Sequence, residues 1–480
     1  MLSGRIRREN GDMTLLPRST PEAEGITSSA ILDFLRAADT QLDSMHSVMI
    51  MRHGRVIAEG WWKPHAAEHP HLMFSVSKSF TSIAVGLAIT EGLLTLDDLV
   101  IDLLPDDLPT EITPHLSTLT VRHLLTMTTG HAINTVPLAE ESHGENWALG
   151  ILAQPLDFTP GTHYVYNNGA SYLLSAIVQR LTGERLLNYL TPRLFEPLGM
   201  TSASWQSCPR GIDAGGWGLS ITTEDLGTFG QLLLQRGEWD GRQLVSAGWI
   251  DEATSAQVDT SGTDHDLDGR QGYGFQFWRN RLSGYRADGA FGQFCIVLPE
   301  QDAVVVLTSA LPVAQLALDL VWHHLLPAFG DSPLPPIEGP LADSLADALA
   351  ALTLPTIAGA ATSPTADRVT GIRFSFDDRK ISSVTLETGV LTIAREGSEG
   401  TATSLAFGHG QWMESADSRV WASGAWVSPD RLVIRALDTG TPFSLTYTLV
   451  FTTDALTLDI TQNMAFGDLA PIHAVSRGQS

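Results

Sequence analysis

Apolar residues between positions 27 and 44 recur at three- and four-residue steps (Ile31, Leu32, Phe34, Leu35), the spacing of an amphipathic helix. Two apolar runs follow, 47–52 and 55–59, and the His53-Gly54 pair between them predicts a β-hairpin. Helical spacing returns at Phe80, Ile83, Ala84, Leu87 and Ala88, with Gly92 as the stop signal. Further helices are predicted over 120–130, 169–182 and 224–236, closed by Gly130, Gly183 and Gly237, the last capped by Thr222 or Thr223. Strand-like runs reappear at 273–278, 294–298 and 303–307, and a helix over 314–326 ends the pattern. Strands early, helices in the middle and strands late predict an α+β fold. Its core would be an α/β sandwich: one antiparallel sheet assembled from both ends of the domain and flanked by helices.

The pattern changes after the proline-rich stretch 333–340. A short Ala/Leu helix (341–352) leads into alternating runs at 384–387, 390–393, 432–435, 445–451 and 456–460, which predict an all-β barrel or sandwich. The expected organisation is an N-terminal extension (1–20), a main domain (21–330), a linker with a short helix (331–364) and a β-rich accessory domain (365–480). The accessory domain carries no catalytic constellation and reads as a packing or oligomerisation module, which leaves a homo-oligomer open.

Composition narrows the partners. A net charge of −25 argues against nucleic acid and against anionic membranes. Arg5, Arg7 and Arg8 are not followed by an apolar run, and no stretch reaches 18 apolar residues, so neither a signal peptide nor a transmembrane helix is expected. Cys208 and Cys295 are too far apart to suggest a framework and read as buried reduced thiols of a cytoplasmic protein.

The chemistry starts from a scarcity. The chain has three lysines against 26 arginines, and one of the three, Lys78, stands three residues after Ser75 in Phe74-Ser75-Val76-Ser77-Lys78-Ser79. A desolvated lysine can lose its proton near neutral pH, whereas an arginine cannot. A serine hydroxyl needs a neighbouring base to become a nucleophile. In the first turn of a helix the pair would share one face, near the unpaired N–H groups and the positive dipole end. The plain alternative is a serine-rich helix cap with a solvated lysine. Downstream, Pro160-Gly161 makes a turn, and Tyr166-Asn167-Asn168 stands at the entry to the next helix. A phenol beside an ammonium has a lowered pKa and can exchange protons, and the Asn168 amide can fix the lysine.

These segments, with Glu91-Gly-Leu-Leu-Thr-Leu-Asp-Asp98 and Val121-Arg-His-Leu-Leu-Thr-Met-Thr-Thr-Gly130, resemble the serine β-lactamase-related hydrolases over residues from about 20 to about 328. The resembling branch holds class C β-lactamases, D-alanyl-D-alanine carboxypeptidases, family VIII esterases and 6-aminohexanoate-dimer hydrolase-like amidases. The resemblance implies Ser75 as acylated nucleophile, Lys78 as general base and Tyr166 as proton shuttle. Asn168 would orient Lys78 and substrate. It also implies a third motif, usually Lys-Thr-Gly or His-x-Gly, on a strand facing Ser75. Ala287-Asp288-Gly289 fits it, with the backbone N–H groups of Ala290 and Ser75 as oxyanion hole.

Here the chain departs from the family, since Ala287 stands where the basic residue belongs. That disfavours substrates bearing a carboxylate and favours neutral esters or small amides. β-Lactam or D-amino-acid peptide hydrolysis, or a silent binding or sensor protein, are the alternatives. Asp288 either adds repulsion in the cleft or faces solvent. Gln293 and His163 are further candidates for lining the cleft, as are Trp61, Trp62, Trp217, Tyr273 and Trp278. No cofactor is implied. His65, His69 and His71 have metal-like spacing but lack a partner motif and read as a solvated loop. G-x-S-x-G, P-loop and G-x-G-x-x-G patterns are absent from the chain.

Overall fold

Stretches from opposite ends of the first 310 residues build one antiparallel sheet in the computed structural model. The structure describes residues 6–7, 13–14, 16–337, 340–377, 381–394, 402–415, 419–467 and 470–476. Arg5, Arg8 and most of the extension 1–20 therefore lie outside the described residues.

Helix α1 (Ser28–Gln41) starts at Thr27, whose hydroxyl accepts the Ala30 N–H at 3.2 Å. Strands β1 (Met45–Arg52) and β2 (Arg55–Trp61) form the hairpin. Helices α2 (Ser77–Thr90), α3 (Val121–Leu125), α4 (Asn168–Thr182) and α5 (Thr223–Leu234) fill the middle of the chain. Strands β3 (Trp278–Arg279), β4 (Tyr285–Gly289), β5 (Gln293–Leu298) and β6 (Ala303–Ser309) complete the sheet in the order β3-β4-β5-β6-β1-β2.

All of β1, β5 and β6 is buried, which explains their continuous rather than alternating apolar runs. Helix α5 lies close against the sheet at Gly230, where a Cβ would stand 2.6 Å from Val304 and 2.7 Å from Cys295. Helix α2 is sunk into the domain. Residues 77–88 are all buried, including Ser77, Lys78, Ser79, Thr81 and Ser82, so its polar face meets protein rather than water.

Two sequence expectations change. The stretch 273–278 is not a strand, and only Trp278–Arg279 pairs in the sheet. Gln276 takes a left-handed backbone (φ 66°). Its side chain donates to the Leu124 and Leu125 carbonyls (3.2 and 2.9 Å) and accepts from Ser171 Oγ, and its own carbonyl accepts from Ser79 Oγ at 2.8 Å. Those bonds tie the segment to α2, α3 and α4 instead of to a neighbouring strand. The helix expected over 120–130 stops at Leu125. Met127 turns left-handed (φ 58°) and its carbonyl accepts the Val165 N–H at 2.9 Å, which lays the segment before Tyr166 alongside.

The chain divides into two compact units, residues 1–60 with 70–351, and residues 61–69 with 352–480. The short segment joins the second unit by backbone bonds, Lys63 N–H to the Leu352 carbonyl (3.1 Å) and Leu354 N–H to the Lys63 carbonyl (2.8 Å). The second unit is all-β, with a four-stranded sheet between Arg373 and Ala406 and a six-stranded sheet between Met413 and Val475. Leu391, Ile434, Leu449 and Leu458, all at 0 % exposure, centre its core. Among the described residues no helix is long and apolar enough to cross a membrane.

Candidate active site

The backbone is strained where the candidate nucleophile sits. Phe74 has φ 46°, uncommon for a residue with a Cβ, and begins a 3-10 turn, Phe74–Val76, that runs into α2. Ser75 thus lies one turn before α2 rather than inside its first turn. Ser77 fixes this turn, donating to the Phe74 carbonyl at 2.6 Å and accepting the Leu219 N–H at 3.1 Å.

Lys78, in the first turn of α2, brings its amine to three oxygens: Ser75 Oγ (3.1 Å), Asn168 Oδ1 (2.6 Å) and the Gly216 carbonyl (2.6 Å). Two of these can only accept. A neutral amine satisfies them with its two N–H bonds and turns its lone pair to the serine hydroxyl. Burial favours that neutral form and lowers the Lys78 pKa to about 7, against an opposing pull from Asp288. Gly216 packs tightly here, since a Cβ would lie 3.4 Å from the amine and 3.3 Å from the Asn168 carbonyl.

The two asparagines at the start of α4 divide their tasks. Asn167 is buried and caps the helix, accepting the N–H groups of Gly169 (2.9 Å) and Thr135 (3.0 Å). Asn168 then faces Lys78. Tyr166 interacts electrostatically with the Ser75 hydroxyl, stacks on Trp278 (5.7 Å, 23°) and lies with its ring 4.8 Å from the Lys78 amine. The expectation of a lowered phenol pKa is corrected here. Burial dominates and raises it, so the phenol keeps its proton and serves as a relay rather than as a resident anion.

The third-motif strand passes against this turn. Gly289 lies so close to the Met73 carbonyl that a Cβ would approach it to 2.3 Å, and Ala290 follows directly after β4. Ala287 is fully buried in the apolar core opposite Cys295, so the position expected to be basic faces away from the cleft. The charges sit on the other face of the strand. Asp288 accepts from Arg286 Nε at 2.8 Å, and the guanidinium also donates to the Arg279 carbonyl (3.0 Å) and Asn280 Oδ1 (3.2 Å). Asp288 acts electrostatically on Lys78, Tyr164, Tyr166 and Tyr273, and burial raises its pKa against the pull of Arg286.

One candidate drops out of the cleft. Gln293 is fully buried and spends its amide on the backbone. It donates to the Ala290 (3.0 Å) and Ser309 (2.7 Å) carbonyls and accepts the Ser309 N–H (3.1 Å), leaving nothing for a substrate. His163 is exposed and stacked on Phe158 at 3.9 Å. The histidine trio has no common centre: His65 bonds the Thr439 carbonyl, while His71 meets His46 at 3.0 Å. Among the described residues no cluster could hold a metal ion.

Sequence reasoning missed the Gly216 carbonyl, although the adjacent Gly215-Gly216 pair signals a close backbone approach. It also missed Arg286, whose i, i+2 spacing to Asp288 on one strand face was readable.

The sequence profile of the family described as Beta-lactamase matches residues 38–322. A 6-aminohexanoate-dimer hydrolase of Paenarthrobacter ureafaciens is 26% identical over 299 residues, covering 58% of this chain and 74% of its own. A lovastatin esterase of Penicillium rubens is 25% identical over 179 residues, 32% of this chain and 44% of its own. Among solved structures, an octameric penicillin-binding protein homologue from Pyrococcus abyssi shares the fold with a TM-score of 0.50 at 17% identity, over 93% of this chain and 98% of that one.

Proposed function

The chain belongs to the beta-lactamase family and is a serine hydrolase, and from that premise we propose that Ser75 is its nucleophile and that its substrates are carboxylic esters or small amides without a carboxylate near the scissile bond. Lys78 takes the Ser75 proton as Oγ bonds to the substrate carbonyl carbon. The backbone N–H groups of Ser75 and Ala290 receive the developing oxyanion. Tyr166 passes a proton to the leaving group as its bond to carbon breaks. Water then adds to the acyl-enzyme by the same relay and frees the acid. Asn168 and the Gly216 carbonyl hold the amine with its lone pair toward Ser75.

The observation that carries this reading is the 3.1 Å contact between Ser75 Oγ and a buried amine whose pKa lies at about 7. The substrate preference rests on Asp288, which puts a carboxylate where the related enzymes' motif puts a hydroxyl beside a basic residue. The two buried thiols suit a reducing, cytoplasmic setting. Labelling with a fluorophosphonate and turnover of p-nitrophenyl acetate test the assignment. Both should occur in the wild type and vanish in Ser75→Ala. A wild type that neither labels nor turns over any ester, amide or β-lactam would instead be a binding protein.

A further inference from the structure

Three observations meet at the mouth of this site. The first is charge. The Asp288 side chain retains 22% exposure while Arg286 behind it retains 2%, so of the pair the carboxylate meets the cleft. Asp266 and Asp268 also act on Asp288 and oppose the pull of Arg286. The second is the wall. Tyr166 and Trp278 stack, and the Tyr164 and Tyr273 rings meet Trp278 edge-on at 6.1 and 4.7 Å. Aromatic faces attract organic cations, and more strongly when water is excluded. The third is that the wall already carries an amine at its reactive end: the Lys78 nitrogen lies 4.8 Å from the Tyr166 ring.

We propose that Asp288 and the Tyr166–Trp278 wall form a subsite for an ammonium group carried by the substrate, so that the enzyme selects cationic esters or amides over neutral and anionic ones. This rests on the serine-hydrolase reading above and names its substrate class. Asp288 acts as a specificity residue. Arg286 holds it in place through Nε at 2.8 Å, and its guanidinium also donates to the Arg279 carbonyl and Asn280. A carboxylate on the substrate would meet Asp288 and be repelled.

Three p-nitrophenyl esters of matched size test it: 4-(trimethylammonio)butanoate, the isosteric 5,5-dimethylhexanoate and hemiglutarate. The expected order of kcat/KM is cationic, neutral, anionic, with at least a tenfold span between the ends. Asp288→Asn should collapse that span to within threefold, mainly by raising KM for the cationic ester, while fluorophosphonate still labels Ser75. A wild type that hydrolyses the neutral ester as well as or better than the cationic one overturns the proposal, whatever the variant does. So does a span unchanged in a labelled Asp288→Asn protein. Calorimetry on Ser75→Ala separates this from the reaction itself. Tighter binding of the cationic ester than of hemiglutarate supports the subsite even if the wild type proves inactive, and equal binding rejects it.

Discussion

The Lys78 amine donates to the main-chain carbonyl of Gly216 at 2.6 Å, a bond that no side-chain substitution at position 216 can remove directly. With Asn168 Oδ1 at the same distance, it leaves the amine's third direction for Ser75. Amine orientation is therefore built into a glycine turn and a helix start, not into a flexible partner.

Because Lys78 must be neutral to take a proton, kcat/KM should rise with pH through about 7 and level off above it. Below that pH the base is protonated and activity should fall tenfold per pH unit. Lys78→Arg keeps the charge but cannot lose its proton, so acylation should drop by about a thousandfold or more. Stopped-flow burst measurements across pH 5–9 check both. Retained acylation in the arginine variant would remove Lys78 as the base.

Asn168→Asp places a carboxylate 2.6 Å from the amine in place of a neutral oxygen. An opposite charge at that range favours the ammonium and raises its pKa by about 1–3 units. The rising limb of the pH profile should move up accordingly, while activity on the plateau recovers. A profile that stays put would show that Asn168 does not act through Lys78.

Tyr166→Phe removes the hydroxyl and keeps the ring on Trp278, so the fold should be undisturbed by near-ultraviolet circular dichroism. Turnover should fall by about a hundredfold or more, the usual contribution of a positioned proton donor. In the wild type, the raised phenol pKa removes Tyr166 as the source of any fall in activity on the alkaline side below pH 10.

The parts legible in the sequence were those fixed by local spacing. Ser75 and Lys78 are neighbours because a helical turn makes them so, and Thr27 and Thr222 cap their helices by the same short-range rule. The alternation of the second unit was equally readable. What escaped depends on partners distant in the chain. The Gln276 side chain trades a strand for bonds to residues more than 100 positions away, and the fate of Gln293 is decided by Ser309 on the neighbouring strand. The direction of Asp288 required knowing which face of β4 meets the cleft. Segment 61–69 joins a unit that begins nearly 300 residues later, which no linear boundary can express.

Gln293 gives a prediction that separates support from catalysis. Gln293→Ala leaves the Ala290 and Ser309 carbonyls and the Ser309 N–H without their side-chain partner in a buried site. Each buried unpaired group costs about 1–3 kcal/mol, and water entering the cavity offsets part of it, so a net loss of about 3 kcal/mol is expected in urea denaturation. Gln293→Glu keeps the acceptor for Ser309 but cannot donate to either carbonyl while ionised, and it adds a buried charge, so it should be at least as unstable. The Ala290 N–H is attached to the segment that loses its anchor. Both variants should therefore lower kcat more than they raise KM. If instead KM rises with stability unchanged, Gln293 contacts substrate after all and its placement as a buried strut is wrong.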